Sequence, residues 1–546
     1  MIRPFAICGL AGMSWALAAT APAASPAPPR QDLLRFVNGD QLHGSFQGVK
    51  TGPVAVWQRP DLTAPGEFKS NQIQKIILRA GRPEKSNESL THIALVNGDR
   101  IPGTLSALDD ETCTVDTSIA GVLHIPRKNV GMIAPMPLGG RVLYHGTYAE
   151  DGWLMTHPDF PDGIPELTAA ANPAPDPAPP MPDAAGDDEA GEAPDPVKNT
   201  PIPRWDFSGA AWYWNHKQGA TALVRKTGMT ERSMLRFNLA WRSRLMLCIA
   251  FHADFSHPKQ AEPNKDDNPR AAGNLNALAN AKKRALMNHP GPGDPSALPK
   301  LFGNSYVLQV NSGFAMLLRC GYDADGKPTM ERLQINNPSI RLPESGSAAF
   351  DLRCDRIKGT IVLHIDGELA MQWDEPGRAD TPPYAGKGAG IGFLVQMENS
   401  PVRISDVVIA EWNGMPDSAR SMQLDDQDIV LLANGTDRFS GKVVDFHDGK
   451  LRLLGKFGDF SFPLDAIAEV RFASNSQAKP EPSNDPRVIV RLDPIGNISG
   501  IPLSGDAASL KLLTPYAGTI NINLQSATIL DFQPSNNLLD DWDPQF

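Results

Sequence analysis

The densest groupings of chemistry-bearing side chains in this sequence are two acidic pairs, Asp366/Glu368 and Asp374/Glu375, and one His/Asp group, His252, Asp254 and His257 in FHADFSHP. Cleavage of a glycosidic bond needs two carboxylates facing one another across a cleft, one to protonate the leaving oxygen and one to attack or to activate water. Neither acidic pair alternates along a single strand. Asp366 and Glu368 flank a glycine in a turn, and Asp374 and Glu375 close a strand-like run, where carboxylates are ordinarily solvated. The His/Asp group has ligand types that zinc accepts, but a strand-end trio with no further ligand beside it reads as structural. No nucleophile elbow, P-loop or dinucleotide fingerprint occurs in a strand-to-helix setting. The sequence therefore assigns no catalytic residue, no metal site and no cofactor.

Binding is a better match to what is present. Arg236, Asn238, Gln309 and Arg319 are polar positions on strand-like runs and are the candidate ligand-binding residues. In MLRFNLAWRSRLMLCIAF, Leu235, Phe237, Leu239 and Trp241 fall on one face, while Arg236, Asn238 and Arg242 fall on the other. Period-two alternation of this kind builds a sandwich in which each strand lends one face to the core, so Trp241 is expected inside rather than as a sugar platform.

The elements that position these residues run from about 139 to 413. GTIVLHIDGELAMQW places Asp366-Gly367 between two strands, a hairpin signal, and is followed by GAGIGFLVQ and PVRISDVVIAEW. Those three segments occur in the order used by the concanavalin A-like, laminin G-like jelly-roll superfamily, which the region resembles; it is also similar to the 3-keto-disaccharide hydrolase family, which shares the same ending. The resemblance implies a jelly-roll β-sandwich whose polar face receives sugars or peptides, and no residue matches a calcium motif of that superfamily. Two insertions interrupt it. The tract 158–203, rich in Ala, Pro and Asp, has too few large apolar residues to offset ordering entropy and is expected to be disordered. The segment 258–300 reads as a surface flap carrying a short helix in LNALANAKKRALMNH.

On both sides of that region one pattern recurs four times: LLRFVNGDQLHGSF from Leu33, HIALVNGDRIPGTL from His92, DIVLLANGTDRFSGKV from Asp428 and RVIVRLDPIGNISGIPL from Arg487. A strand meets a turn, a second strand follows with a glycine at Gly44, Gly103, Gly441 or Gly500, and each copy closes on an apolar segment such as LHIPRKNVGMI. Asn-Gly predicts a type I′ hairpin turn, and the later glycine predicts a bulge or sharp bend. Short units of this kind predict small closed barrels at 31–80, 90–136, 426–474 and 486–534, since closure removes exposed edges. The second copy resembles the Sm-like small-barrel pattern and a repeat common in exported proteins of planctomycetes and verrucomicrobia, without the basic and aromatic positions an RNA-binding ring needs.

Residues 1–24 read as a secretory signal: Arg3, an apolar run from Phe5 to Ala19, then small residues at Ala21–Ala24, with Cys8 too early for a lipoprotein cysteine. Export, periplasmic or extracellular, permits disulfides among Cys113, Cys248, Cys320 and Cys354, and Cys320 with Cys354 is the expected pair; buried unpaired thiols are the alternative. No later stretch is long and apolar enough to span a membrane. With 62 Asp+Glu against 51 Lys+Arg and a net charge of -11, nucleic acid is excluded as the expected partner. The fold class is all-β, a jelly-roll β-sandwich flanked by two pairs of small β-barrel repeats. The expected function is non-catalytic binding of a glycan or of an envelope or extracellular partner. A carbohydrate-active hydrolase and a structural envelope component are the alternatives, and oligomeric state is open.

Overall fold

The computed structural model describes residues 31–87, 91–137, 139–146, 152–158, 160–164, 202–216, 219–258, 297–333, 340–374, 386–414, 424–479, 486–534, 538–539 and 542–543. The expected signal at 1–24, the interior of both insertions and the helix in LNALANAKKRALMNH lie outside them. All described sheets are antiparallel and there are three.

Two of these sheets face each other as a sandwich. One runs Asp206–Ser208, Ala211–Trp214, Val402–Glu411, Arg232–Trp241, Gly346–Asp355, Thr360–Ile365 and Glu368–Asp374, with Val142–His145 also pairing onto Val402–Glu411. The other runs Trp153–Thr156, Ala222–Arg225, Gly390–Val395, Met246–Ala253, Ser305–Asn311, Ala315–Tyr322 and Pro328–Leu333. Alternation does what the sequence predicts: Leu235, Phe237, Leu239 and Trp241 enter the shared core with Ile249, Phe251, Leu308 and Phe393. Phe237 stacks on Phe350 at 5.4 Å between ring centroids and meets Phe393 edge-on at 5.1 Å. The outer face of the second sheet is itself apolar and is covered by the short helix Ala297–Phe302. Asp366 and Gly367 both adopt positive φ, 53° and 83°, as a type I′ hairpin turn requires.

The four repeated segments form the third sheet, of 21 strands. In each unit the first strand lies between the second and the last, the middle strands follow as a meander, and a 3-10 turn precedes the last strand. In the first unit, Asp32–Phe36 pairs with Gln41–Lys50 and with Ile73–Ile77, and Ser70–Gln72 is the turn. The units are stitched edge to edge, which the sequence does not foretell. The last strands of units one and four pair at Ile76↔Leu530, those of units two and three at Ile133↔Val470, and Arg100↔Asn497 joins two to four. Strand edges that would otherwise be open are consumed by partner units hundreds of residues away, and one apolar cluster runs through all four.

Two local expectations change. At Asn38-Gly39, Asn97-Gly98 and Asn434-Gly435 only the glycine has positive φ, so the turns are not type I′. The Asn side chain instead accepts a backbone N–H two residues on, from Asp40, Asp99 or Thr436, which fixes a three-residue loop in the first two units and a four-residue loop in the third, with glycine in the left-handed position. The repeated later glycine marks close approach: a Cβ at Gly44, Gly103, Gly441 or Gly500 would lie 2.4, 2.6, 2.1 or 2.9 Å from an atom of the facing strand. The bulge follows a few residues later, as between Phe46 and Gly48.

The expected Cys320–Cys354 disulfide is not formed. Cys354 lies in the sandwich core, whereas Cys320 belongs to the cluster on the far side of the second sheet. Burial pushes the Cys320 thiol up to about 12, so it is an inert apolar filler. No described helix is long and apolar enough to cross a membrane.

Candidate binding site at the junction of sandwich and repeats

The strand Arg232–Trp241 carries the candidate site on its outer face. There Met234 packs with Val408, Ala410, Trp412 and Ile495 of the fourth repeat, and Ala240 packs with Ala211, Tyr213 and Trp542 near the C-terminus. Between these two apolar contacts lie Arg236 and Asn238. The C-terminal contact is reinforced by buried Asp543, which pairs with Arg35 of the first repeat at 3.4 Å and accepts from Ser208 Oγ of the sandwich at 2.6 Å. The repeats are thus fastened to this face on both sides of a polar stretch.

A bulge supplies the next residue. The register of Val402–Glu411 against Arg232–Trp241 shifts between Arg236, opposite Val408, and Asn238, opposite Ser405, leaving Asp406 and Val407 as the inserted residues. Val407 enters the sandwich core while Asp406, at φ 51°, stays on the outer face; re-aiming a side chain is a common consequence of such an insertion. Asn238 Nδ2 donates to Asp406 Oδ2 at 2.8 Å. Arg403 donates to Ser405 Oγ at 3.0 Å and to Tyr213 Oη at 3.2 Å. Burial pushes the Asp406 carboxyl up, but Arg491, Arg403, His145 and the Asn238 amide together outweigh it and hold the group below its ordinary value. Asp406 is therefore a standing carboxylate.

Facing it, the sandwich strand Val142–His145 meets the fourth repeat. His145 Nδ1 lies 2.7 Å from Asp493 Oδ1, and Arg491 pairs with Asp531 at 3.1 Å. Arg100 lies at the seam between the second and fourth units, and burial, followed by the positive charge of Arg236, lowers its pKa. Both side chains are exposed, and neither has a hydrogen bond or ion pair to any described residue. Two exposed guanidinium groups from separate parts of the chain thus feel one another's charge, with no donor spent on any described residue. Bidentate donors suit carboxylate, sulfate or phosphate oxygens.

The four residues expected from sequence fall in three places. Arg236 and Asn238 share the gap. Gln309 is on the outer face of the other sheet, donating to Gln396, which also accepts from Cys248 Sγ at 2.9 Å. Arg319 lies opposite Tyr306 and Glu331, on the face of that sheet turned to the sandwich core, and pairs with Glu331 at 2.9 Å. The His/Asp group does not converge. His252 is buried against the Gly388 carbonyl and pushed by burial down to about 3, Asp254 accepts from Asn304 and Ser256, and His257 sits 3.3 Å from Tyr322 Oη. No cluster of three or more potential metal ligands occurs among the described residues. Asp366 accepts the Ala349 N–H from the neighbouring strand Gly346–Asp355 and Asp374 accepts from Gln372, while Glu375 lies outside the described residues. Asp406 went unrecognised, although consecutive Val407-Val408 in PVRISDVVIAEW breaks the alternation and signals the bulge.

No protein-family model matches the chain, and no curated protein matches it in sequence. Among solved structures it is similar to a carbohydrate-binding module from Bacillus subtilis, 6% identical over 38% of this chain and 92% of that one at TM-score 0.22. A Bacillus subtilis protein of unknown function with a galectin-like fold is 13% identical over 50% and 96%, at TM-score 0.26. A galectin from Caenorhabditis elegans is 9% identical over 36% and 96%, at TM-score 0.19. These neighbours are galectin-like β-sandwiches, and no ligand or activity transfers at this level of likeness.

Proposed function

We propose that the chain is an exported, non-catalytic binding protein in which the jelly roll and the four repeats, each a small Sm-like barrel, form one scaffold that holds an acidic glycan at their junction. The observation that carries this is the pair Arg100 and Arg236, exposed, coupled by charge and without an ion pair to any described residue, with Asn238 and Asp406 on the same outer face as Arg236. A carboxylate or sulfate between the guanidiniums would relieve their mutual repulsion. Asn238 and Asp406 sit beside that point, and a carboxylate accepts from sugar hydroxyls.

The hydrolase alternative requires one carboxyl held protonated as a general acid. Asp406 is held in the opposite sense, and the neighbouring Asp351 is engaged by Arg353 at 2.8 Å. The assembly alternative relies on open repeat edges, and several of those are already paired within the chain.

The test is a glycan array of acidic and neutral glycans on the purified mature chain, followed by titration calorimetry. Uronate- or sulfate-bearing glycans should bind with strong salt dependence, and Arg236→Ala and Arg100→Ala should each weaken binding about tenfold, the value of one charged hydrogen bond. Absence of acidic-glycan binding, or binding indifferent to both substitutions, rejects the reading.

A further inference from the structure

A second cavity, of about 540 Å³, opens between the second repeat, the segment that precedes it and the fourth repeat, lined by residues other than Arg100, Arg236, Asn238 and Asp406. Its size is in the range of small-molecule sites. One wall is Thr104 and Asp116, direct cross-strand partners on neighbouring strands of the second repeat. The other is the 3-10 turn of the fourth repeat, with Asn523 and Gln525. Lys85 stands at the rim.

The walls are fixed to one another. The backbone N–H groups of Glu84 and Lys85 reach the Gln525 carbonyl at 2.8 and 3.2 Å, and Asn523 N–H donates to the Ile119 carbonyl at 2.8 Å. Asn87, buried in the floor, donates to the Asp493 carbonyl at 2.8 Å and accepts from Ser118 Oγ at 3.0 Å. The cleft is therefore held open by bonds that a ligand need not break, which lowers the entropy lost on binding.

Its unspent groups define the ligand. Lys85, Thr104 and Asp116 are exposed and make no side-chain hydrogen bond or ion pair to any described residue; Asn523 donates to Gln525 Oε1 at 3.4 Å and accepts the Gln525 N–H at 2.9 Å, which leaves each amide part of its donor and acceptor capacity. One cation and one carboxylate cancel, so neither an anion nor a cation is favoured. No aromatic ring lines the cavity, and Pro102 and Ile119 supply only a small apolar patch. Mixed donors and acceptors at zero net charge complement hydroxyl groups, which both donate and accept.

We propose that this cleft binds a neutral saccharide, independently of the acidic-glycan site. The full mature chain is titrated with maltotriose, cellotriose and chitotriose, by calorimetry and ligand-observed NMR, at low and high salt. At least one trisaccharide should bind saturably and with little salt dependence. Asp116→Ala should weaken it about tenfold by removing a charged acceptor, Thr104→Trp should block it by filling the cleft, and Arg236→Ala should leave it unchanged. Both positions are exposed, and an unaltered thermal transition verifies folding of each variant. Failure of all three to bind overturns the proposal, as does binding lost in Arg236→Ala but retained in Thr104→Trp. Neither result touches the acidic-glycan reading, which is scored with charged probes.

Discussion

Asn238 Nδ2 donates to Asp406 Oδ2 at 2.8 Å across a β-bulge, on the outer sandwich face that Ile495 of the fourth repeat and Trp542 also contact. The bond joins a residue placed by alternation to one placed by an insertion. Asp406 also answers the positive charges of Arg403, Arg491 and His145. Asp406→Asn should therefore cost about 1–3 kcal/mol in urea unfolding, as expected for a charged group removed from a partly enclosed network, and Asn238→Ala about 1 kcal/mol. An unchanged midpoint in Asp406→Asn would show that the cluster contributes nothing to docking.

If Arg100 and Arg236 clasp one anionic group, their effects are coupled. The double variant should lose less affinity for an acidic glycan than the two single losses combined, because the second guanidinium holds little once the first is gone. Strict additivity in a calorimetric double-mutant cycle would mean that the two bind separate groups.

Two histidines make the fold acid-sensitive. Burial lowers His92 to about 4, against its hydrogen bond to the Ile495 carbonyl, and His252 to about 3. A histidine so depressed is neutral when folded and takes up a proton more readily when unfolded. The stability it carries is complete above its unfolded value of 6.5 and is lost as pH falls toward the folded value. For His92 this is on the order of 3 kcal/mol. Asp32 and Asp99, raised by burial, act in the opposite sense at the acid end. Urea midpoints measured from pH 7 downward should fall, and His92→Gln should flatten the dependence.

Close packing sets the cost of two substitutions of opposite kind. Phe237→Ala removes a ring held between Phe350 and Phe393 and should cost about 3–5 kcal/mol. Gly441→Ala adds one carbon 2.1 Å from the Leu454 carbonyl and should cost about 1–3 kcal/mol by overpacking. Calorimetric melting checks both; a neutral Gly441→Ala would show that the strands can separate at that point.

With no disulfide present, iodoacetamide added after denaturation without reductant should label Cys113, Cys248, Cys320 and Cys354, and reductant should leave the melting temperature unchanged. Labelling of only two of them would restore a disulfide.

Alternation and turn chemistry determined much by themselves. The inward set Leu235, Phe237, Leu239 and Trp241, the Asp366-Gly367 turn and the four-fold recurrence of strand, turn and glycine are local patterns, each imposed within a few residues by side-chain direction or backbone sterics. What only the tertiary structure decided depends on residues distant in the chain: the charge of Arg236 felt at Arg100, Ile76 pairing with Leu530, Cys320 kept from Cys354 by the thickness of a sheet. Gln309 and Arg319 illustrate the limit. Both are polar residues on strands and indistinguishable from Arg236 by type, yet each is already paired with a neighbour. A site consists of groups left unspent once the fold is complete, and a linear pattern specifies which face a side chain takes but not what will lie opposite it.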